Sequence, residues 1–287
     1  MRICQTPLPG RRYSLWWIKA TIRVGAPSRP APSNARPARA RTSRQAERVD
    51  YDELADLYAR QYRDYKDDLE FYARLAERAE GPVLELGAGQ GRVALYLARR
   101  GVRVWALEPS AAMRSRGEEA GRDLPVRWLA ADMRDFDLRQ RFPLVIAPFN
   151  ALMHLYTLAD QNAALERVAA HLAAGGVFAF DLYNPLRIRA DGALRLEGRY
   201  DGLEVYYHQE HHPATQRLLT HYLADEAVPG GALRRRRYTL DQRYFTRYEV
   251  ERWLAAAGFE GRLAGGFYGE PFTPNSPWMV WTARRVS

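Results

Sequence analysis

The sequence contains a single cysteine, Cys4, so no disulfide bond can form within the chain. Nothing in its cysteine content indicates an oxidising compartment, and we take the cytoplasm as the expected location. The sequence also lacks any run of the roughly 18 apolar residues that a membrane-spanning helix requires. These absences exclude a disulfide-stabilised fold and predict that the chain does not cross a membrane.

Acidic residues are missing from residues 1–46, which hold nine arginines and Lys19. This segment accounts for the net charge of +9, and the rest of the chain is close to neutral. A nucleic-acid-binding face needs clustered cations that displace the counterions of the phosphates, so a neutral body argues against one. A nucleic-acid-binding module that acts through the basic segment stays open as an alternative.

The basic segment also lacks apolar periodicity. From about residue 26 to residue 46 it is rich in Pro, Ala, Ser and Arg, a composition that does not offset the entropy of ordering. We expect residues 1–48 to be a disordered tail, either native or an extension ahead of the true start, and residues 49–287 to form the folded domain.

Helical and strand-like patterns alternate from Tyr51 onward. Helical spacing predicts a helix around residues 54–65 and another over residues 69–79. A helix over residues 92–100 follows the first strand, and the helix before the fifth strand is expected to stop at Gly175 and Gly176. Short apolar runs predict five buried strands, at residues 83–86, 102–107, 126–129, 144–147 and 177–180. This alternation predicts an α/β fold, a mostly parallel sheet with helices on both faces.

The pattern changes near Leu194. Alternating segments joined by turn residues predict an antiparallel β insert over residues 194–243. A helix over residues 247–257 and strands near residues 259–266 and 278–283 complete the expected fold.

A glycine-rich loop, ELGAGQGR at residues 85–92, follows the first predicted strand. Glycine lets the backbone turn sharply and approach a ligand at the carboxyl edge of the sheet. Glu85 precedes the first glycine, and a carboxylate there suits an amino-acid ammonium group better than a pyrophosphate. The loop therefore favours S-adenosylmethionine (SAM) over NAD, and an NAD-dependent oxidoreductase stays open as an alternative.

Acidic residues follow the next two predicted strands. Glu108 lies seventeen residues after Gly91, a spacing at which a carboxylate can accept hydrogen bonds from ribose hydroxyls. Asp132 and Met133 follow the third strand, where a carboxylate and a flexible thioether can contact an adenine ring.

Four motifs together resemble the class I SAM-dependent methyltransferases over about residues 50–285. They are VLELGAGQGR at 83–92, VWALEPSAAM at 104–113, LAADMRDF at 129–136 and AAGGVFAFDLYNP at 173–185. The resemblance implies a Rossmann-like methyltransferase fold, with Glu85 and the loop glycines at the methionine end of SAM. The residues expected around the cofactor are Tyr58, Glu85, Gly87, Gly89, Gly91, Arg92, Glu108, Met113, Asp132, Met133, Phe149 and Asn150.

A smaller set of features is similar to N,N-dimethyltransferases of nucleotide-linked amino sugars. They are Asp50-Tyr51, the segment ADMRDF, His154 after the fourth strand, and the β-rich insert. This resemblance implies that Tyr51 and His154 line the acceptor pocket and that the insert pairs subunits into a homodimer. No Asn-Pro-Pro-Tyr type sequence follows the fourth strand, which disfavours nucleobase methylation and points to a small-molecule acceptor methylated on N or O.

Two residue types near this pocket have alternative interpretations. His154 is a candidate general base because the ordinary pKa of histidine is near neutrality, and a core or capping histidine fits the sequence equally well. Tyr51, Tyr58 and Tyr62 are expected on a segment that closes over the site, with a site role for Tyr51 or Tyr58 and a packing role for Tyr62.

Two further groups carry no function in this interpretation. Alternation along a strand would split Arg234–Arg237 between two faces, which favours a solvated or interface role over nucleic-acid binding. The histidines at 208, 211 and 212 lack a matching cluster of Cys or carboxylate ligands, so we propose no metal site.

Overall fold

The computed structural model describes residues 51–286, with only the backbone of residues 52 and 53. The predictions for residues 1–48, a disordered tail and its boundary with the folded domain, lie outside the described residues. None of the described helices is long and apolar enough to span a membrane.

The described helices and strands follow the alternation expected from the sequence. The helices are α1 Tyr51–Tyr62, α2 Leu69–Arg78, α3 Arg92–Arg99, α4 Ala111–Ala120, α5 Leu158–His171 and α6 Arg247–Ala256. The strands are β1 Val83–Leu86, β2 Val104–Leu107, β3 Val126–Leu129, β4 Phe142–Ala147, β5 Leu172–Tyr183, β6 Arg195–Tyr200, β7 Leu203–His212, β8 Arg217–Ala227, β9 Leu233–Arg243, β10 Phe259–Ala264 and β11 Trp278–Arg285. Short 3₁₀ helices lie at Ala151–His154, Pro185–Arg187 and Pro213–Thr215.

The main sheet has the strand order β10-β11-β5-β4-β1-β2-β3. Strands β1 to β5 pair in parallel, and β11 runs antiparallel to both of its neighbours. Side chains alternate along β1, so that Leu84 and Leu86 join a core with α5 and α6, whereas Val83 joins a core with α2 and α3. A mostly parallel sheet covered on both faces is therefore confirmed.

A second, antiparallel sheet has the order β6-β7-β8-β9 and forms the expected insert. Leu57 of α1 packs in a small core with apolar residues of this sheet, among them Leu203, Val205 and Tyr222. Arg60 of α1 also donates hydrogen bonds to Glu226 and to the backbone of Asp201. Helix α1 is therefore attached to the insert.

The predicted end of α5 at Gly175 and Gly176 was wrong, and α4 was not predicted. Helix α5 ends at His171, and Gly175 and Gly176 lie inside β5 at an irregularity of its pairing with β4, where Gly175 has φ 71°. Helix α4 buries only Met113 and Gly117. A helix with so few apolar residues lacks the periodicity by which a surface helix is recognised.

Candidate active site

A cavity of about 830 Å³ opens at the carboxyl ends of β1, β2 and β4. Ligands of open α/β sheets bind at this edge. The cavity brings together most of the residues predicted for cofactor and acceptor. The predicted residues that line it are Tyr51, Tyr58, Glu85, Gly87, Gly89, Arg92, Glu108, Met113, Asp132, Met133, Phe149 and His154.

Two predicted residues, Gly91 and Asn150, lie outside the cavity lining. Gly91 precedes α3 with φ 82°, and a Cβ atom there would lie 2.7 Å from the ring of Trp128. The absence of a side chain at Gly91 therefore lets the start of α3 pack against Trp128 of β3. Asn150 points away from the cavity, and its Oδ1 atom accepts a hydrogen bond of 2.5 Å from the backbone of Tyr183.

Glu85 lies at the end of β1 and is 2% exposed. Among the described residues its Oε2 atom has no hydrogen-bond partner. Burial raises the pKa of Glu85 to about 8, and the positive charge of Arg92 opposes this rise. Arg92 does not neutralise Glu85 fully, because its guanidinium donates two hydrogen bonds to buried Asp68, at 2.5 and 2.6 Å. A ligand ammonium group would satisfy the unpaired Glu85 oxygen, so the site fits the methionine end of SAM.

The glycine loop and Glu108 form the next part of the cavity wall. Gly89 donates its backbone N–H to Glu108 Oε2 at 2.7 Å, and Ser110 donates to Oε1 at 2.8 Å. These bonds fix the carboxylate at the end of β2. Within residues 51–286, a Cβ atom on Gly89 would meet no atom within 4 Å, so the described part of the chain leaves open space at this point. The arrangement can hold a ribose, because each carboxylate oxygen can accept more than one hydrogen bond.

Asp132 lines the cavity beside Met133, and Arg134 binds its carboxylate. The Arg134 side chain donates to Oδ1 at 2.8 Å and to Oδ2 at 2.6 Å, and it also reaches Asp160 at 2.8 Å. Any bond from Asp132 to an adenine must therefore be shared with Arg134. Arg134 was not among the predicted site residues, although it stands inside the motif LAADMRDF.

At the other end of the cavity Tyr51 meets His154. The Tyr51 hydroxyl and His154 Nε2 form a hydrogen bond of 2.9 Å, although 103 residues separate them in the chain. Burial lowers the pKa of His154 to about 4 and raises the pKa of Tyr51 well above its ordinary value. The pair is therefore uncharged at neutral pH, and the neutral pKa from which the sequence analysis argued does not apply to His154.

Aromatic rings line the cavity next to this uncharged pair, with Tyr58 beside Tyr51 and Tyr156 beside His154. The Phe149 ring lies 5.0 Å from the rings of Tyr62 and Tyr65, and the Tyr58 ring lies 4.7 Å from Tyr62. Tyr62, expected only to pack, also lines the cavity, as do Tyr65 and Tyr156. The spacing of the tyrosines indicated the cluster, but Tyr65 follows the end of α1 and enters the wall from a loop.

Known methyltransferases are similar to this chain in sequence and in fold. Residues 83–176 match the family model of the methyltransferase domain. The dTDP-3-amino-3,6-dideoxy-alpha-D-glucopyranose N,N-dimethyltransferase of Streptomyces fradiae is 28% identical over 227 residues, which cover 75% of this chain and 86% of the relative. The structure of the CcbJ methyltransferase from Streptomyces caelestis is 27% identical with a TM-score of 0.72, covering 84% of this chain and 99% of that one. A SAM-bound amino pentose methyltransferase from Micromonospora echinaspora is 28% identical with a TM-score of 0.65, covering 80% and 97% of the two chains.

The chain carries a methyltransferase domain and is a SAM-dependent methyltransferase. The resemblance stated from the motifs and the choice of SAM over NAD are confirmed. The roles of individual site residues in this methyltransferase stay predictions, since no ligand contact tests them.

The arginines at 234–237 and the histidines at 208, 211 and 212 lie outside the cavity lining of this methyltransferase. Arg235 pairs with Asp225 at 2.6 Å and Arg236 with Glu226 at 3.6 Å, so neighbouring arginines of the run bind different carboxylates. In the described part of the chain, no group of three or more His, Cys, Asp or Glu side chains is arranged to hold a metal ion. That the enzyme needs no metal stays a prediction.

Proposed function

We propose that this methyltransferase transfers methyl groups from SAM to the amino group of a small molecule, and that the acceptor is an amino sugar. The observation that carries the proposal is the uncharged Tyr51–His154 pair, buried in the same cavity as the Glu85 and Glu108 carboxylates.

The pKa of His154 favours an amine over a hydroxyl as the acceptor group. A hydroxyl must lose its proton during the transfer, and a general base works best when its pKa is near the working pH. Burial lowers the pKa of His154 to about 4, which makes it a weak base. An amine that has released its proton to the solvent has a free lone pair and needs only to be positioned, and the methylated ammonium releases a proton to the solvent before a second transfer. Tyr51 and His154 then act as uncharged hydrogen-bonding groups that orient the acceptor.

The other side chains of the cavity fit a transfer in which positive charge moves toward the acceptor. SAM, when bound, supplies an electrophilic methyl group on a sulfonium. Glu85 would bind its ammonium group, Glu108 its ribose hydroxyls, and Asp132 with Met133 its adenine. The rings of Tyr58, Tyr62 and Phe149 would stabilise positive charge on sulfur and on the methylated nitrogen by cation–π attraction. Positioning of this kind supplies on the order of 7–11 kcal/mol in well-oriented reactions.

Two relatives support the sugar as the acceptor class. The Streptomyces fradiae relative is named for N,N-dimethylation of a nucleotide-linked amino sugar, and the Micromonospora echinaspora relative for methylation of an amino pentose. Both cover at least three quarters of this chain. The Tyr51–His154 contact agrees with the pocket that the sequence resemblance implied.

A matched pair of acceptors tests the proposal. The purified protein is incubated with SAM and either a nucleotide-linked amino sugar or the same nucleotide sugar with a hydroxyl in place of the amino group. S-adenosylhomocysteine is then measured, and the product is analysed by mass spectrometry. We expect one or two methyl groups on the amine and none on the hydroxyl sugar. Transfer to the hydroxyl sugar without transfer to the amine would contradict the proposal.

We also propose that two subunits pair through the open face of the insert. Tyr207 and Tyr222 face the small core with α1, so the alternate residues face away from it. On that open face Leu196, Tyr206 and Leu223 are neighbours on three adjacent strands, and Leu196 is 45% exposed. Sedimentation should show a dimer that Leu196→Glu with Leu223→Glu converts to a monomer; a wild-type monomer at micromolar concentration would contradict the pairing.

Three further expectations stay predictions. They are the tail at residues 1–48 as a part separate from the domain at residues 49–287, the cytoplasmic location, and the absence of a nucleic-acid partner.

A further inference from the structure

The turn between β4 and the 3₁₀ helix Ala151–His154 has an unusual backbone. Phe149 and Asn150 are consecutive residues with positive φ, at 54° and 62°. Asparagine tolerates this left-handed conformation, whereas a bulky residue such as phenylalanine rarely adopts it. Such a conformation persists only when the surrounding structure holds it.

A buried carboxylate on β5 binds this turn. Asp181 is 1% exposed. Its Oδ1 atom accepts the backbone N–H of Phe149 at 2.9 Å, and its Oδ2 atom accepts that of Asn150 at 3.3 Å. The Tyr72 hydroxyl donates to Oδ1 from α2 at 2.6 Å. The Asn150 side chain in turn accepts the backbone N–H of Tyr183, so the turn and β5 are joined in both directions.

The turn determines where two parts of the cavity wall lie. The Phe149 ring enters the cavity, where it meets the tyrosine rings edge-on or tilted and lies 5.1 Å from the Arg92 guanidinium. The 3₁₀ helix that follows places His154 beside Tyr51. Asp181 itself does not line the cavity. Its β5 position pairs with Val280 of β11 inside the sheet, so the carboxylate is held by rigid structure.

We infer that Asp181 is a positioning residue for methyl transfer, whose carboxylate holds the Phe149–Asn150 turn so that the Phe149 ring and His154 face the acceptor. The inference rests on the proposed function, because the turn carries the acceptor end of the cavity. An asparagine at position 181 has nearly the same shape, but its amide nitrogen cannot accept a backbone N–H.

The experiment compares Asp181→Asn with Tyr72→Phe. Both variants remove one hydrogen bond made by the Asp181 carboxyl group, but only Asp181→Asn removes a bond to the turn. Hydrogen exchange at the Phe149 and Asn150 amides should become about tenfold faster in Asp181→Asn and stay unchanged in Tyr72→Phe, with amides of β1 as the internal reference. With the amino-sugar acceptor, kcat should fall about 100-fold in Asp181→Asn and less than about threefold in Tyr72→Phe.

Calorimetry with S-adenosylhomocysteine and a thermal melt separate positioning from a merely structural role. We expect the dissociation constant of Asp181→Asn to change less than about tenfold while kcat falls, since the Glu85 and Glu108 contacts remain. An equal decline of Tm and kcat in both variants, or unchanged exchange at the two amides, would overturn the inference. If the wild-type protein methylates no amine, the proposed function fails, and the exchange rates with the calorimetry still decide whether Asp181 holds the turn.

Discussion

The two ends of the cavity differ in charge and in origin. The end proposed for the cofactor, called the cofactor end, consists of carboxylates and glycines at the ends of β1 and β2, where one oxygen of buried Glu85 has no partner among the described residues. The acceptor end consists of aromatic rings and an uncharged histidine, brought together from α1 and the turn after β4. We propose that hydrogen bonds to carboxylates hold SAM at one end, whereas shape and uncharged hydrogen bonds select the acceptor at the other.

Removal of α1 should have the largest effect on methyl transfer. A protein lacking residues 1–66 loses Tyr51, Tyr58 and Tyr62 and should have no detectable methyl transfer, whereas a protein lacking residues 1–48 should keep its activity. Transfer is measured with the amino-sugar acceptor and cofactor binding by calorimetry. Activity in the longer deletion would refute a covering role for α1, and loss of S-adenosylhomocysteine binding there would show that the two ends are not independent.

Neutralising Glu85 should weaken the cofactor end alone. Glu85→Gln removes a charge-assisted hydrogen bond to an ammonium group, of about 1.5–3 kcal/mol, so the SAM dissociation constant should rise about 10- to 100-fold. Exposed Glu77 on α2 provides the control Glu77→Gln, which should bind SAM as the wild type does. Unchanged SAM affinity in Glu85→Gln would place the ammonium group elsewhere.

Substitutions at the acceptor end should show the converse pattern. Tyr51→Phe and His154→Asn each disrupt the 2.9 Å hydrogen bond, and kcat should fall about tenfold because the acceptor is less well oriented. The SAM dissociation constant, measured by calorimetry, should not change. If kcat decreases by less than about threefold in His154→Asn, His154 has no role in the mechanism.

The smallest expected effects come from pH. A rise in pH should lower the stability of the free protein and raise its affinity for SAM. The pKa of Glu85 is about 8 in the folded protein and 4.5 when unperturbed. The unfolded chain therefore loses this proton first, and the stability of the free protein should fall as pH rises from about 5 to about 8. The bound ammonium group needs the ionised carboxylate, so SAM affinity should rise, about fivefold between pH 7 and pH 8. Thermal melts and calorimetry on wild type and Glu85→Gln measure both trends, and the same slopes in both proteins would assign them to other groups.

The cofactor end was largely predictable from sequence because its residues stand in local motifs. A glycine loop after a strand and acidic residues at strand ends occupy one edge of a parallel sheet whatever the rest of the chain does. Asp132 was predicted to contact adenine, but its ion pair with Arg134 was not predicted. Whether two side chains so close in sequence meet depends on the path of the loop.

The acceptor end required tertiary information. Tyr51 and His154 were joined by family resemblance and not by any pattern in the sequence, since 103 residues separate them. Burial changes the pKa of His154 by an amount that no motif specifies. The sequence contains one indication of a role for Asp181, since it is a single carboxylate within the apolar run of β5. Its hydrogen-bond partners could not be predicted, because they come from α2 and from the turn after β4.

The attachment of α1 to the insert has a consequence for how acceptor preference can change. Because Leu57 and Arg60 bind strands of the insert, a substitution in the small antiparallel sheet can tilt the tyrosine-bearing helix without altering any strand that carries Glu85 or Glu108. Directed evolution toward a new acceptor would then start from libraries in residues 195–243, far in sequence from the strands that carry Glu85 and Glu108.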